Sequence, residues 1–369
     1  MRAVLYRILV LAVFSVSGAT AGEVSSPDLK PKKEYLFKPT GALLNGEKTD
    51  KPEGVSGIAC LPPSGAEARR CLIVNDERRK AQFITIDNGM VAPGDDVELI
   101  GKKASSSTLG QKPNISTCPG GEDDFGELDG EGISYNPPYF YVVGSHGCSR
   151  KKRKFKLSSF VIARFSIDKD YEPIGNAETT YRLSDLFTLS SALKPFFGQA
   201  LQNTASEDVN PNGVTIEGIS VIGDRVFVGL RAPFNHADGG AYLVEASAND
   251  LFASEPGKQH ARSSQDFINV IPLALGEDTG IRDLTSLPDG RLLILAGPAQ
   301  EQKVPYSLFI FDPFAASLKK IGTLKKSSGE VEDAKAEAVA LLGPDRVLIM
   351  FDGILNGGPR EYSLVTPLY

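Results

Sequence analysis

The sequence predicts an all-β fold, a β-propeller of four-stranded blades. Three observations carry this. A short apolar strand, a Gly/Pro/Asp turn and a second apolar strand recur five times along the chain. Helix-period patterning is scarce. A strand-like segment, Glu34 to Phe37, precedes the first unit, and the last unit ends before a fourth strand. Recurrence of one hairpin at long intervals marks a repeat architecture, and an N-terminal strand added to the last blade leaves no open edge. The 369 residues are 41% hydrophobic and 23% charged, values of an ordinary globular chain. With 40 basic against 46 acidic residues, bulk charge does not favour a nucleic-acid partner.

Residues 1–21 read as a secretory signal. Arg2 and Arg7 form a basic start, Ile8 to Val16 is almost wholly apolar, and Ala19-Thr20-Ala21 has the small-x-small form of a cleavage site. No later segment is long and apolar enough for a membrane span. A periplasmic or secreted bacterial protein, with residues 22–369 as one propeller domain and a monomer, is expected.

The first strands of the units begin at Gly57, Glu131, Glu217, Arg282 and Glu337. Turns at Pro62-Pro63, Pro137-Pro138, Gly223-Asp224, Pro288-Asp289-Gly290 and Gly343-Pro344-Asp345 lead to the second strands. These run Cys71–Val74, Tyr139–Val143, Arg225–Val228, Arg291–Leu295 and Arg346–Met350. Third strands are expected at Gln82–Ile86, Phe160–Ile167, Ala241–Glu245, Ser307–Phe311 and Glu361–Thr366. Fourth strands are expected at Val97–Gly101, Glu178–Leu183, Phe267–Ala274 and Lys319–Leu324. The units lie farther apart than a compact blade of about 40–50 residues, so loops carry insertions. Five blades use every strand, and six would need a degenerate blade in a long interval. One helical insertion is expected over about 184–213. Ser184-Asp185 reads as its cap, and Leu186, Leu189, Leu193, Phe197 and Leu201 recur at helical spacing.

Cys60, Cys71, Cys118 and Cys148 lack metal-site spacing. Cys60 and Cys71 flank one hairpin. Cys118 precedes the second blade and Cys148 follows its second strand, so Cys60–Cys71 and Cys118–Cys148 are the expected disulfides.

In a propeller the first strands line the central channel. Their starts and the second-strand ends share one face, which gathers Glu131, Glu217, Asp283, Glu337, His146, Arg231, Arg282 and Asp352 as candidate ligand-binding residues. Crowded carboxylates must be offset by a cation, by arginine or by protonation. The structural alternative is that each carboxylate accepts backbone N–H bonds and pins its blade. Asp208, Asn210, Asn212 and Glu217 place oxygen ligands at spacing that suits Ca²⁺, although Asn-Pro-Asn-Gly is also a good plain turn. The acidic run from Glu122 to Glu131 reads as a Ca²⁺ loop or a solvated one. Arg150, Lys151, Lys152, Arg153 and Lys154 could steer an anion toward the channel or form a solvated hairpin tip. No hydrolase signature occurs, and the adjacent Ser145 and His146 cannot form a triad.

Several segments resemble a known family. These are Glu131-Gly132-Ile133, Val143-Gly144-Ser145-His146 and Ile216-Glu217-Gly218-Ile219, then Gly229 to Pro233, Gly280-Ile281-Arg282-Asp283-Leu284 and Leu293 to Pro298. They are similar to the bacterial family catalogued as domain of unknown function 3616. The resemblance covers nearly all of the mature chain and implies no activity and no catalytic residues. A looser, fold-level similarity is to calcium-dependent propeller lactonases and phytase-like phosphoesterases. Three functions are therefore open: binding of a small or anionic ligand at the channel mouth, with or without Ca²⁺; metal-dependent hydrolysis of phosphate esters or lactones; and an envelope interaction scaffold.

Overall fold

A computed structural model describes residues 26–37, 55–63, 68–115, 117–118, 125–149, 154–201, 213–234, 240–253, 268–300, 302–325 and 334–369. Three short strands come first: β1 (Asp28–Leu29), β2 (Pro31–Glu34) and β3 (Leu36–Phe37). The first blade is β4 (Gly57–Cys60), β5 (Arg69–Val74), β6 (Lys80–Asp87) and β7 (Met90–Glu98). The second is β8 (Gly130–Asn136), β9 (Tyr139–Gly144), β10 (Ile162–Ile167) and β11 (Pro173–Thr180). The third is β12 (Thr215–Ile222), β13 (Arg225–Ala232), β14 (Ala241–Ser247) and β15 (Asn269–Leu273). The fourth is β16 (Thr279–Ser286), β17 (Leu292–Pro298), β18 (Ser307–Asp312) and β19 (Ser317–Leu324). The fifth contains β20 (Lys335–Gly343), β21 (Arg346–Asp352) and β22 (Arg360–Ser363).

The result is a five-bladed propeller, but not one of uniform four-stranded blades closed by Glu34–Phe37. None of the sheets is closed, and they mix four and five strands. The N-terminal segment is divided among three of them. Pro31–Glu34 pairs antiparallel with β22, whereas β1 runs parallel to β19 and β3 runs parallel to β7. The division has a local cause. Tyr35 turns inward and donates its hydroxyl to Glu361 at 2.7 Å, after which Leu36 pairs with the first blade.

The outer strands depart furthest from expectation. Met90–Glu98 replaces Val97–Gly101, and Pro173–Thr180 replaces Glu178–Leu183. Both contain a proline and a glycine, which read as breakers in sequence. β11 has a free side, and Pro93 lies beyond the two residues of β7 that β3 covers, so a missing N–H is tolerated in both.

Five apolar clusters hold the blades together, one at each junction. Leu72, Phe83, Ile133 and Phe140 join the first two blades, and Ile58, Ile73, Val339-flanking Ala340 and Leu348 join the last to the first. Inner strands buried on both faces explain the continuous apolar runs of the sequence.

The helical insertion begins earlier than expected, as α1 (Arg182–Leu189), with Tyr181 at the cap position and no side-chain cap bond. Ser184 lies inside the helix. The helix stops at Leu189, where Ser190 turns extended, and Leu193 and Phe197 pack into the core from the turns that follow. Leu189 points outward and is 52% exposed. One further short helix, α2 (Ala248–Phe252), is capped by Ser247, whose hydroxyl accepts from the Asp250 N–H at 3.2 Å. Among the described residues, no helix is long and apolar enough to cross a membrane. The expected leader, 1–21, lies outside them.

Candidate functional site

The inner strands share a defect that the sequence does not show. In each of blades two to five, one residue is skipped in the pairing of the first and second strands. Gly130 and Gly132 pair with consecutive residues of β9, and Ile216 and Gly218 do the same on β13. Ile281 and Asp283 do so on β17, and Ala336 and Ala338 on β21. The skipped residues are Glu131, Glu217, Arg282 and Glu337. A bulge bends the strand and re-aims the side chain of its extra residue, and here it does so at the same point of every such blade.

This register takes one residue out of the channel-facing group. Arg282, which heads its unit as Glu131, Glu217 and Glu337 head theirs, is their equivalent, and Asp283 is not. Asp283 occupies the position held elsewhere by Gly57, Gly132, Gly218 and Ala338. Successive strand residues face opposite ways, and the Asp283 carboxylate leaves the ring to accept from the N–H groups of Leu284 at 2.8 Å and Val339 at 2.7 Å. It ties the fourth blade to the fifth, which is the pinning role. Burial raises its pKa well above the ordinary range, and those two N–H groups pull it back.

The remaining charges form a connected ring. Arg231 donates Nη1 to Glu217 at 2.7 Å and Nε to the Ala299 carbonyl at 2.8 Å. Arg282, only 1% exposed, bridges Glu217 at 3.2 Å and Glu337. Burial opposes the charge on Arg282, but Glu217 and Glu337 more than offset it, so its pKa is raised. Burial pushes the Glu337 carboxyl up to about 7, with Arg282 holding it down and Glu217 and Asp352 pushing it further up. Arg231 Nη2 and Arg282 Nε are buried and make no hydrogen bond among the described residues. Leaving such donors unpaired is costly in a protein interior.

Glu131 stands apart from this network. It makes no hydrogen bond or ion pair among the described residues. Burial in the channel wall raises its pKa well above the carboxylate range, helped by Glu217, Asp129, Asp76 and Glu337. Asp76 follows β5 in the same neighbourhood. Desolvation by the surrounding protein, helped by Asp129, Glu337, Asp352 and Glu77, pushes its carboxyl up to about 8. Asp129 accepts from the Ser145 hydroxyl, and its pKa is raised by burial despite that bond. Asp352 is held by Lys335 at 3.8 Å on the rim.

His146 is not at the channel mouth. It is fully buried, its ring packed against Phe160 at 5.8 Å and Phe187 at 6.0 Å between centroids. Its Nδ1 lies 3.0 Å from the Gly144 carbonyl, Nε2 has no partner among the described residues, and burial holds its pKa down to about 4. A positive φ of 51° turns it away from the direction its neighbours take. It is a neutral core residue.

Of the basic run, Lys154 is exposed and donates its N–H to the Ser149 hydroxyl at 2.9 Å, while Arg150, Lys151, Lys152 and Arg153 lie outside the described residues. So do Asp208, Asn210 and Asn212 of the expected Ca²⁺ loop, and Glu122, Asp123 and Asp124 of the acidic run. Glu217 itself belongs to the charged ring. Among the described residues no group of three or more His, Cys, Asp or Glu is arranged to hold a metal ion. The disulfides join Cys60 to Cys71 and Cys118 to Cys148, the pairs expected from the blade positions.

Tyr306 escaped the sequence reading. Its ring covers Gly297 beside the Arg282 side chain, where a Cβ would collide with it, and burial pushes its hydroxyl up to about 12. The signal was Gly297 itself, since a glycine inside a strand marks close approach of another group.

The repeated Glu-Gly-Ile inner strands and the Gly-Ile-Arg-Asp-Leu strand thus build one ring, and a family model matches residues 111–166 and 175–353, which contain nearly all of it. The chain belongs to the family described as a protein of unknown function, DUF3616. No curated protein matches it. Among solved structures it is similar to the α-L-arabinofuranosidase PaAbf62A from Podospora anserina, at 10% identity over 93% of this chain and 98% of that one, with a TM-score of 0.45. The catalytic domain of a Coprinopsis cinerea GH62 α-L-arabinofuranosidase gives 8% identity, 91% and 98% coverage and a TM-score of 0.41. A putative 6-phosphogluconolactonase from Bacteroides uniformis gives 13% identity, 84% and 71% coverage and 0.32.

Proposed function

We propose that this DUF3616 protein is an exported propeller that binds a small polar ligand at the charged mouth of its channel. The observation that carries the reading is Glu131, a bulge-delivered carboxyl without a partner among the described residues, in the same ring as the Nη2 of buried Arg231, which has none among them either. A ligand that offers an acceptor to Arg231 and a donor or positive charge to Glu131 satisfies both. Charge balance points away from a polyanion. Among the described residues, Asp76, Asp129, Glu131, Glu217, Glu337 and Asp352 outnumber the cations near them, Arg231, Arg282, Lys156 and Lys335, and both arginines are already paired with Glu217. A cation such as Ca²⁺ would relieve the same repulsion, which keeps metal-dependent hydrolysis as the second reading. Two disulfides suit an oxidising compartment and support export.

The test is the thermal melt of the purified protein with EDTA, Ca²⁺, glucosamine or gluconate, repeated on Glu131→Gln. A ligand at a hundred times its dissociation constant stabilises by about 2.7 kcal/mol. Stabilisation by glucosamine that Glu131→Gln abolishes supports the polar-ligand reading. A Ca²⁺ response that Glu131→Gln abolishes supports the metal-dependent one. Stabilisation by gluconate alone, unchanged in Glu131→Gln, refutes both. No response to any addition leaves the ring as the blade-pinning device already seen at Asp283.

A further inference from the structure

We propose that the opposite end of the channel is a second binding site, for a small uncharged ring compound bearing hydroxyl groups. The inner strands of four blades end there around a bowl of about 450 Å³, lined chiefly by Leu61, Pro62, Tyr135, Ser286, Leu287 and Leu341. That volume lies in the range of small-molecule sites, which combine apolar walls with a few fixed polar groups.

The bowl has an opposite chemistry to the charged ring. Among the described residues its lining contains no Asp, Glu, Lys or His side chain. Arg69 is the one charged side chain among them, and it is engaged: Nη2 donates to the Leu342 carbonyl at 2.8 Å and Nη1 to the Ala68 carbonyl at 3.1 Å. A charged ligand would give up its hydration in a bowl whose one described guanidinium is already held by two carbonyls. The hydroxyls of Thr285 and Ser286 line the bowl and make no hydrogen bond among the described residues, and the same holds for Tyr135. The Tyr135 ring is held in place by Phe140, 4.8 Å away between centroids. Prolines, leucines and a fixed aromatic ring present flat apolar surface, and the free hydroxyls sit on strands that cannot move far. A ring with one apolar face and one or two hydroxyls matches both.

The two ends are separate sites. Between them the inner strands press together at Gly57, Gly132 and Gly218, where an added Cβ would lie 2.8 Å from the backbone of the next blade.

The experiment is saturation-transfer NMR on the full protein with phenol and cis-1,2-cyclohexanediol as neutral rings, and benzoate and benzylamine as charged counterparts. The neutral rings are expected to bind at least about fivefold more tightly than the charged ones. Leu341→Trp, which fills the bowl, should abolish their signal. Ser286→Ala should weaken diol binding by about fivefold, the worth of one hydrogen bond. Glu131→Gln should leave it unchanged, so failure of this site is distinguishable from failure at the charged mouth. Equal or tighter binding of benzoate or benzylamine, absence of any neutral-ring signal, or a Ser286→Ala variant that binds like the parent would overturn the proposal. Ser286→Ala decides the matter alone if Leu341→Trp does not fold.

Discussion

The two ends of one set of inner strands differ in almost every physical respect. At the charged end a bulge in each of four blades turns a Glu or Arg toward the axis, and buried ion pairs join blades three, four and five. At the other end the same strands lead into turns without a charged ring, and their side chains form an apolar bowl with unpaired hydroxyls. Stability and ligand recognition are therefore mixed at one end and separable at the other. Removing a charge from the ring leaves its buried partner uncompensated, whereas removing a hydroxyl from the bowl leaves the packing intact.

The strongest way to break this contrast is Arg282→Met. It deprives Glu217 and Glu337 of a shared counter-charge and should cost about 3–5 kcal/mol in denaturant unfolding. A loss under about 1 kcal/mol would mean that the ring does not bind the blades together. Next comes Gly132→Ala. Its Cβ would lie 2.8 Å from Gly218 Cα and from Ile219 N, which are backbone atoms that cannot swing away, so about 1–3 kcal/mol is expected. A neutral result would show that the waist between the two ends is looser than drawn.

Acidity sharpens the contrast further. Glu337 titrates at about 7 against an ordinary 4.5, and Glu131 is raised as well. Between pH about 5 and 8 Glu337, Asp76 and Glu131 keep protons that the unfolded chain has released; His146, held down to about 4, works the other way below about 6.5, but the carboxyls outnumber it, so stability falls as pH rises through that window. The melting temperature should be lower at pH 7.5 than at pH 5.5, and a rise would contradict the assigned shifts. Binding of cyclohexanediol to the bowl, measured on protein folded at both values, should not change. The smallest effects are those of Glu131→Gln and Ser286→Ala on stability. The first removes repulsion and is expected to be neutral or slightly stabilising, and the second to stay within about 0.5 kcal/mol. A large loss from Glu131→Gln in a denaturant melt would reveal a structural role for that carboxyl.

Much of the fold was legible because its causes are local. Apolar runs between Gly/Pro/Asp turns specify hairpins, five recurrences specify five blades, and the position of each cysteine on its hairpin determines which partner it can reach. Kinds of residue at the channel were legible too, since Glu131, Glu217, Arg231, Arg282 and Glu337 all meet there. Their directions were not. The repeat puts Arg282 in line with Glu131, Glu217 and Glu337, but which side chains turn to the channel depends on a bulge in the strand pairing, and Asp283, grouped with them, reaches the backbone of Val339 instead. His146 failed for a similar reason: a left-handed backbone at one residue, invisible in composition, carries the ring into the core. The bowl had no sequence signal, because Leu61, Tyr135, Ser286 and Leu341 lie far apart in the chain and meet only when four strand ends converge. Short-range patterning specifies the five hairpins, the disulfide pairs and the inventory of charges. Which of those charges face the channel, which pin a blade and which stay without a partner among the described residues is settled by packing, because direction and desolvation depend on neighbours from other blades.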